Sequence, residues 1–239
     1  MSEVLNVTSE LAKTSLFASL QPDALEQFAS QADVKTFDKG SIFFLHEDKA
    51  DWFYVIVSGW VKLFRETLEG HEAVIDVLSE GHVFGDSAVL TDDIHTNSAA
   101  AAEKTTVIRI PVSFLKRAID GNHDMALAML KSLASHRKQQ TREIEGLTLQ
   151  SASQRIGCFL LRLCNDVEQT DIDLKLPYDK SLIAARLGMK PETFSRALNK
   201  LRQETNIAVK GNCATIPDVQ NLTSFACGAC SNEFPCETL

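Results

Sequence analysis

The sequence predicts an α+β chain: an N-terminal β-roll (jelly-roll), a long connecting helix, and a C-terminal winged helix-turn-helix. Three observations carry this. Between residues 34 and 111, short β-rich runs alternate with glycines at 40, 59, 70, 81 and 85, the pattern of a sandwich or barrel with regular turns. From about 122 to 147, Ala126, Leu130, Leu133, Arg137, Gln140, Ile144 and Leu147 recur with alternating spacings of four and three, an a/d heptad seam. Residues 181–201, SLIAARLGMKPETFSRALNKL, read as a helix, a glycine turn and a second helix, the spacing of a DNA-reading helix-turn-helix.

Taken in order, residues 10–32 show a ragged helical period through Leu11, Leu16, Phe17, Leu20, Leu25, Phe28 and Ala29, and Pro22 suits a helix start. Strands are expected at 34–37, 41–45, 52–57, 60–65, 73–78 and 105–110. The seam reads either as a helix packed on its own barrel or as a parallel dimer helix. The dimer is favoured because a helix-turn-helix works in pairs on a two-fold site, with polar Arg137 and Gln140 costing stability and fixing register. An amphipathic helix over 151–167 turns Ile156, Phe159, Leu160, Leu163 and Val167 inward. Residues 168–179 are acidic and polar and read as a turn or loop. After the helix-turn-helix, 207–209 and 214–216 flank Lys210-Gly-Asn and form a β-hairpin, the wing. The boundaries are a roll with N-terminal helices over 1–112, a dimerisation helix and linker over 113–149, a winged helix-turn-helix over 150–220, and a cysteine-bearing tail over 221–239.

The 239 residues allow two ordinary domains with a core in each. No apolar run approaches the ~18 residues of a membrane span. The N-terminus lacks a basic segment followed by an apolar stretch, so no secretion signal is read and a cytoplasmic, membrane-free protein is expected. The net charge of −8 looks wrong for a DNA binder, but it is unevenly placed. Residues 148–220 hold 10 Lys and Arg against 8 Asp and Glu, whereas residues 1–147 hold 14 against 22. An acidic body with a slightly basic reader shifts the burden of binding to specific contacts.

In the reader, Leu182, Ile183, Leu187, Phe194, Leu198 and Leu201 are the apolar positions that pack the two helices. Pro191 suits the first turn of the second helix, where a missing N–H costs nothing. Glu192, Thr193, Ser195, Arg196, Asn199 and Lys200 are left to face DNA. Arg196 has the fork for guanine O6 and N7, Glu192 can accept from cytosine N4, and Ser195 can meet a thymine or a phosphate. Glu192 also suits the positive end of a helix dipole, and the two roles are compatible.

The tail reads Cys227-Gly-Ala-Cys230-Ser-Asn-Glu-Phe-Pro-Cys236. Three cysteines in ten residues at a terminus, flanked by Gly and Pro, suit a metal or an iron–sulfur cluster in a reducing compartment. Zinc and a redox-active tail stay open. Cys213 in the wing, carboxylates, and His136 on the long helix compete as fourth ligand. Cys158 and Cys164, on an amphipathic helix, read as packing residues.

A roll, a long dimer helix and a winged helix-turn-helix in this order resemble the CRP/FNR superfamily of bacterial transcription regulators, over roughly residues 15–220. Phe37-Asp-Lys-Gly-Ser, Phe53-Tyr-Val-Ile-Val-Ser-Gly-Trp-Val-Lys and Gly81-His-Val-Phe-Gly-Asp resemble its roll motifs, and Pro191-Glu-Thr-Phe-Ser-Arg its recognition helix. The resemblance implies a homodimeric regulator, a roll that acts as sensor, and double-stranded DNA and RNA polymerase as partners, with the role of an activator. The Glu192, Ser195 and Arg196 set is similar to the FNR branch and implies a TTGAT-type half-site in a palindrome. Pro191 stands where the catabolite-activator branch has a second arginine.

Cyclic-nucleotide sensors of the family carry Gly-Glu and, about a dozen residues on, Arg-Ser. Here those places read Gly85-Asp86 and Asn97-Ser98. Without the arginine a buried cyclic phosphate is uncompensated, so cAMP is not expected. The oxygen-sensing FNR type has an N-terminal cysteine cluster, absent here, since the first cysteine is Cys158. Some relatives hold an oxygen-labile [4Fe–4S] cluster on C-terminal cysteines, so the resemblance implies oxygen or nitric oxide as signal. Phe53-Tyr, Ser58-Gly59 and residues 191–196 look most like the subgroup responding to nitric oxide in dissimilatory nitrate respiration, which implies haem as an alternative. The histidines at 46, 71, 82, 95, 123 and 136 mostly fall in expected turns, where a solvated imidazole is usual.

A cupin-like metalloenzyme is the competing class. It needs paired histidines on neighbouring strands, and the histidines here are scattered. No nucleophile elbow or P-loop is present, so no enzyme activity is expected. Asn97 also argues against a cyclic-nucleotide adaptor.

Overall fold

The computed structural model describes residues 5–164, 170–176, 179–211 and 213–230. The chain divides into two compact units, Met1–Arg137 and Lys138–Leu239.

The first unit opens with α1 (Val7–Ala12) and α2 (Pro22–Ser30). Eight strands follow: β1 (Asp33–Phe37), β2 (Ile42–Phe44), β3 (Trp52–Ser58), β4 (Val61–Glu66), β5 (Glu72–Leu78), β6 (Val83–Phe84), β7 (Ser98–Ala101) and β8 (Thr105–Pro111). They form two four-stranded antiparallel sheets, ordered β1-β8-β3-β6 and β2-β7-β4-β5. The central strand β3 shows why its sequence is apolar without alternation. Phe53 and Val55 pack on one side with Leu16, Phe17, Ile108 and Met125. Tyr54 and Ile56 pack on the other with Phe44, Phe84 and Val107. A strand covered on both faces has no polar side to show. The small residues of β7 hide it from a propensity reading, yet Ser98, Ala99, Ala100 and Ala101 are all buried.

A 3-10 turn (Asp86–Leu90) precedes β7, and α3 (Val112–Gly121) follows β8. The long helix α4 spans His123–Leu149. Asn122 Oδ1 accepts from the Asp124 and Met125 N–H groups at 2.9 and 3.1 Å, satisfying two of the amides a helix start leaves without partners. Met125, Ala128, Met129 and Ser132 bury one face of its N-terminal half. Leu133, expected in the seam, packs with that roll-side cluster. Leu130 and Ile144 are exposed, at 61% and 65%, and Arg137 and Gln140 are exposed as well.

The second unit holds the end of α4, then α5 (Ala152–Leu161), β9 (Thr170–Lys175), α6 (Lys180–Arg186), α7 (Pro191–Thr205), β10 (Ala208–Lys210), β11 (Cys213–Asp218) and α8 (Val219–Cys227). Ser151 starts α5 with a reciprocal capping box to Gln154. The helix ends at Leu161, short of the expected 167, and Val167 lies outside the described residues. The expected loop over 168–179 is corrected in part: β9 pairs with β11 and makes the wing a three-stranded sheet, β10-β11-β9. Its acidic residues mask an alternation in which Ile172 and Leu174 pack on the core. Asp173 accepts from the Thr215 hydroxyl at 2.7 Å. The tail also contains a helix, α8, whose Leu222 and Ala226 are fully buried. Among the described residues no helix is long and apolar enough to cross a membrane.

Candidate nucleic-acid interface

Asp179 caps α6 by accepting from the Leu182 N–H at 2.9 Å. The turn after α6 needs a left-handed residue, and Gly188 supplies it at φ +64°. Pro191 opens α7 at its first position. Phe194, Ala197, Leu198, Leu201 and Thr205 are buried along one side of α7, an i, i+3, i+4, i+7 stripe. That stripe fixes which residues turn away. Glu192, Ser195, Arg196, Asn199 and Lys200 are all exposed, and Thr193 is half-buried. Glu192, Ser195, Arg196 and Asn199 have the spacing that places them on one helix face. The Arg196 Nε–H donates to the Glu192 carbonyl at 3.4 Å, so the guanidinium rests along the first turn of the helix. The exposed surface combines a fork donor, a carboxylate and small polar groups, the chemistry that discriminates base edges in a major groove.

In the roll, Asp86 and Asn97 occupy the places of the expected cassette. Asp86 is 4% exposed, and its Oδ2 has no hydrogen-bond partner. Burial pushes its carboxyl above the usual carboxylate range, opposed by the nearby His136 charge and the Asp86 and Ser87 N–H groups. Asn97 is half-buried, and its amide reaches the Thr96 hydroxyl at 3.5 Å. Asn97, a neutral amide, itself supplies no charge to a cyclic phosphate. His95 departs from the solvated reading of the histidines. It is 4% exposed and stacks on Phe44 with ring centroids 3.5 Å apart. Burial pulls its pKa down to about 4, against the opposing pull of Asp48 and Asp51. Sequence reasoning missed this residue because the apolar neighbour that buries it is some fifty positions away.

Cys227 ends α8 and Cys230 follows it, both half-buried, with the Cys230 N–H donating to the Cys227 carbonyl at 3.0 Å. Two cysteines three apart at a helix end fit thiolate ligation of zinc or an iron–sulfur cluster. Cys236 lies outside the described residues, and Cys213 is exposed on β11. Among the described residues no three His, Cys, Asp or Glu side chains gather as a metal-holding group. Cys164 packs in the core, as expected, and burial raises its thiol pKa.

Two family models match: the cyclic nucleotide-binding domain over residues 34–122 and the Crp-like helix-turn-helix domain over residues 154–225. The global nitrogen regulator of Synechococcus elongatus is 30% identical over 190 residues, covering 77% of this chain and 85% of that protein. The chain belongs to the CRP/FNR family. It is a DNA-binding transcription regulator, and its relatives in this family are regulators rather than enzymes. Among solved structures, a Ruegeria pomeroyi protein assigned to cyclic-nucleotide binding is 34% identical with a TM-score of 0.67, covering 92% of this chain and 96% of that one. DNR from Pseudomonas aeruginosa is 31% identical with a TM-score of 0.52, covering 93% and 99%. The CRP/FNR architecture of roll, helices and helix-turn-helix is thus shared along most of the chain.

Proposed function

We propose that this CRP/FNR regulator is a homodimer that reads TTGAT-like palindromes under the control of oxygen or nitric oxide. The observation that carries the DNA reading is the exposed set Glu192, Ser195, Arg196 and Asn199 on α7. Arg196 takes the guanine, Glu192 the cytosine of the opposite strand, and Ser195 a thymine or phosphate. Thr193 and Lys200 lie at the edge of this face and suit backbone phosphates. Two copies place two such helices in major grooves about one turn apart (~34 Å). RNA polymerase is the proposed second partner and activation the proposed sign of control. Anisotropy titration on a TTGAT palindrome tests the reading. Arg196→Ala is expected to lose about 1–3 kcal/mol per half-site, with relaxed preference at the guanine; unchanged base preference rejects the assignment.

For the signal, Cys227, Cys230 and Cys236 are the proposed ligands of an iron–sulfur cluster, with Cys213 as fourth. Such a cluster, when bound, supplies a centre that oxygen or nitric oxide dismantles. The chain's part is to present thiolates at the end of α8, a helix seated in the DNA-binding unit. A haem in the roll is the second reading, favoured by one observation: His95 is a buried imidazole held neutral at pH 7. Cyclic AMP is not the proposed ligand, because Asn97 carries no charge. Anaerobic purification followed by an absorption spectrum with iron, sulfide and zinc analysis separates these. A broad band that bleaches in air supports the cluster, a sharp Soret band supports haem, and zinc alone makes the tail structural.

A further inference from the structure

The second unit contains a contact that the DNA reading does not use. Arg186, the last residue of α6, forms an ion pair with Glu143 on α4. The two side chains are only 15% and 22% exposed. Gln139 donates to the same Glu143 oxygen at 3.5 Å. One helical turn further along α4, Leu147 Cδ2 lies 3.0 Å from where a Cβ on Gly188 would stand. Glu143 and Leu147 therefore meet the end of the first reader helix and the turn that follows it. Leu147, expected as a seam residue, is engaged by the reader's turn. Neither Arg186 nor Gly188 belongs to the base-reading face of α7.

We propose that Glu143 and Arg186 are positioning residues that fix the helix-turn-helix on the end of α4 and so set the half-site spacing this regulator accepts. The inference rests on the dimeric, palindrome-reading function proposed above. Its physical basis is the double attachment. A single contact leaves the reader able to pivot, whereas an ion pair on α6 and an apolar contact at the turn hold it at two points. The α6–turn–α7 unit then follows the direction of α4. One extra base pair between half-sites moves the second groove by about 3.4 Å and turns it by about 35°, so a fixed reader is intolerant of spacer length. Removing either charge breaks the ion pair between α4 and α6, and the attachment opens.

The test is anisotropy titration on TTGAT palindromes with the natural-length spacer and with spacers one base pair shorter or longer. The wild type is expected to prefer one spacing by roughly tenfold or more. Glu143→Gln is expected to cut that preference to about threefold or less, with base preference within each half-site unchanged. The double exchange Glu143→Arg with Arg186→Glu is expected to restore it. Leu147→Ala, which leaves the charges in place, is expected to loosen spacing in the same direction and serves if Glu143→Gln fails to fold. Full spacing preference in Glu143→Gln or in Leu147→Ala overturns the proposal. A wild type indifferent to spacing overturns the dimeric reading itself, and the positioning role with it.

Discussion

Burial of the His95 imidazole against Phe44 links the stability of the roll to pH. Its folded pKa of about 4 lies below the ordinary value of 6.5. Between those values the unfolded chain binds the proton and the folded chain does not, so stability rises with pH and is lost as pH falls. The expected loss from pH 7 to pH 4.5 is on the order of 1–2 kcal/mol after allowance for solvent near the ring. Asp86 acts with the opposite sign. Its carboxyl pKa is raised by burial, so the folded state holds the proton longer and stability falls as pH rises through that window. Thermal melts of His95→Gln and Asp86→Asn across pH 4.5–8 separate the two. His95→Gln should flatten the acid limb, and Asp86→Asn should leave it steeper, since the opposing group is gone. An unchanged acid limb in His95→Gln rejects the role given to His95. The sequence shows both residues but not their burial, because the ring that covers His95 arrives from β2. The reader residues were legible for the converse reason: α7 is a local helix, and its own period decides which side chains face out.

At the scale of elements, α4 carries two surfaces that one heptad period cannot tell apart. Leu133 faces the roll-side core, while Leu130 and Ile144 are exposed, two heptads apart on the face proposed for the second copy. Leu130→Glu with Ile144→Glu should shift sedimentation from dimer to monomer. Each lost apolar contact is worth about 1.5–3 kcal/mol, enough to raise the dimer dissociation constant by roughly a hundredfold or more. Leu133→Glu, by contrast, should lower the melting temperature of the roll. A double variant that stays dimeric rejects the seam. The same ambiguity explains what the sequence concealed elsewhere. The long apolar strands β3 and β8 announce themselves, but β7 is built of small residues. β9 hides Ile172 and Leu174 between aspartates, and α8 sits in a tail that reads as cysteine ligands before it reads as a helix. In each case packing against residues distant in sequence overrides weak local preference.

For the whole molecule, the seating of α8 shows what a sensor proposed at the tail would act on. A Cβ on Gly157 would stand 3.1 Å from Ala226 and 3.3 Å from Leu222, so α8 lies directly against α5. Leu201 Cδ1 of α7 lies 3.6 Å from that same Cβ position. Gln154 donates to the Phe225 carbonyl at 3.4 Å, and Cys227 itself packs at the edge of this core. A change of ligation at Cys227 and Cys230 therefore acts first on α8, then on α5 and the buried side of α7, within the DNA-binding unit. No ligand on the long helix is needed for coupling, which weakens the case for His136 as fourth ligand and favours one from the wing or tail. Cys230→Ser is the cleaner variant, because Cys227 is tied into packing. If the tail is the sensor, Cys230→Ser and Cys227→Ser should both lose iron or zinc by elemental analysis. Their DNA affinity should then no longer change between anaerobic and air-exposed protein, whereas wild-type affinity should change by at least about tenfold, or 1.4 kcal/mol. His136→Gln should retain both metal and response. A Cys230→Ser protein that keeps its metal and its response would move the sensor out of the tail and into the roll, where His95 is the residue to test next.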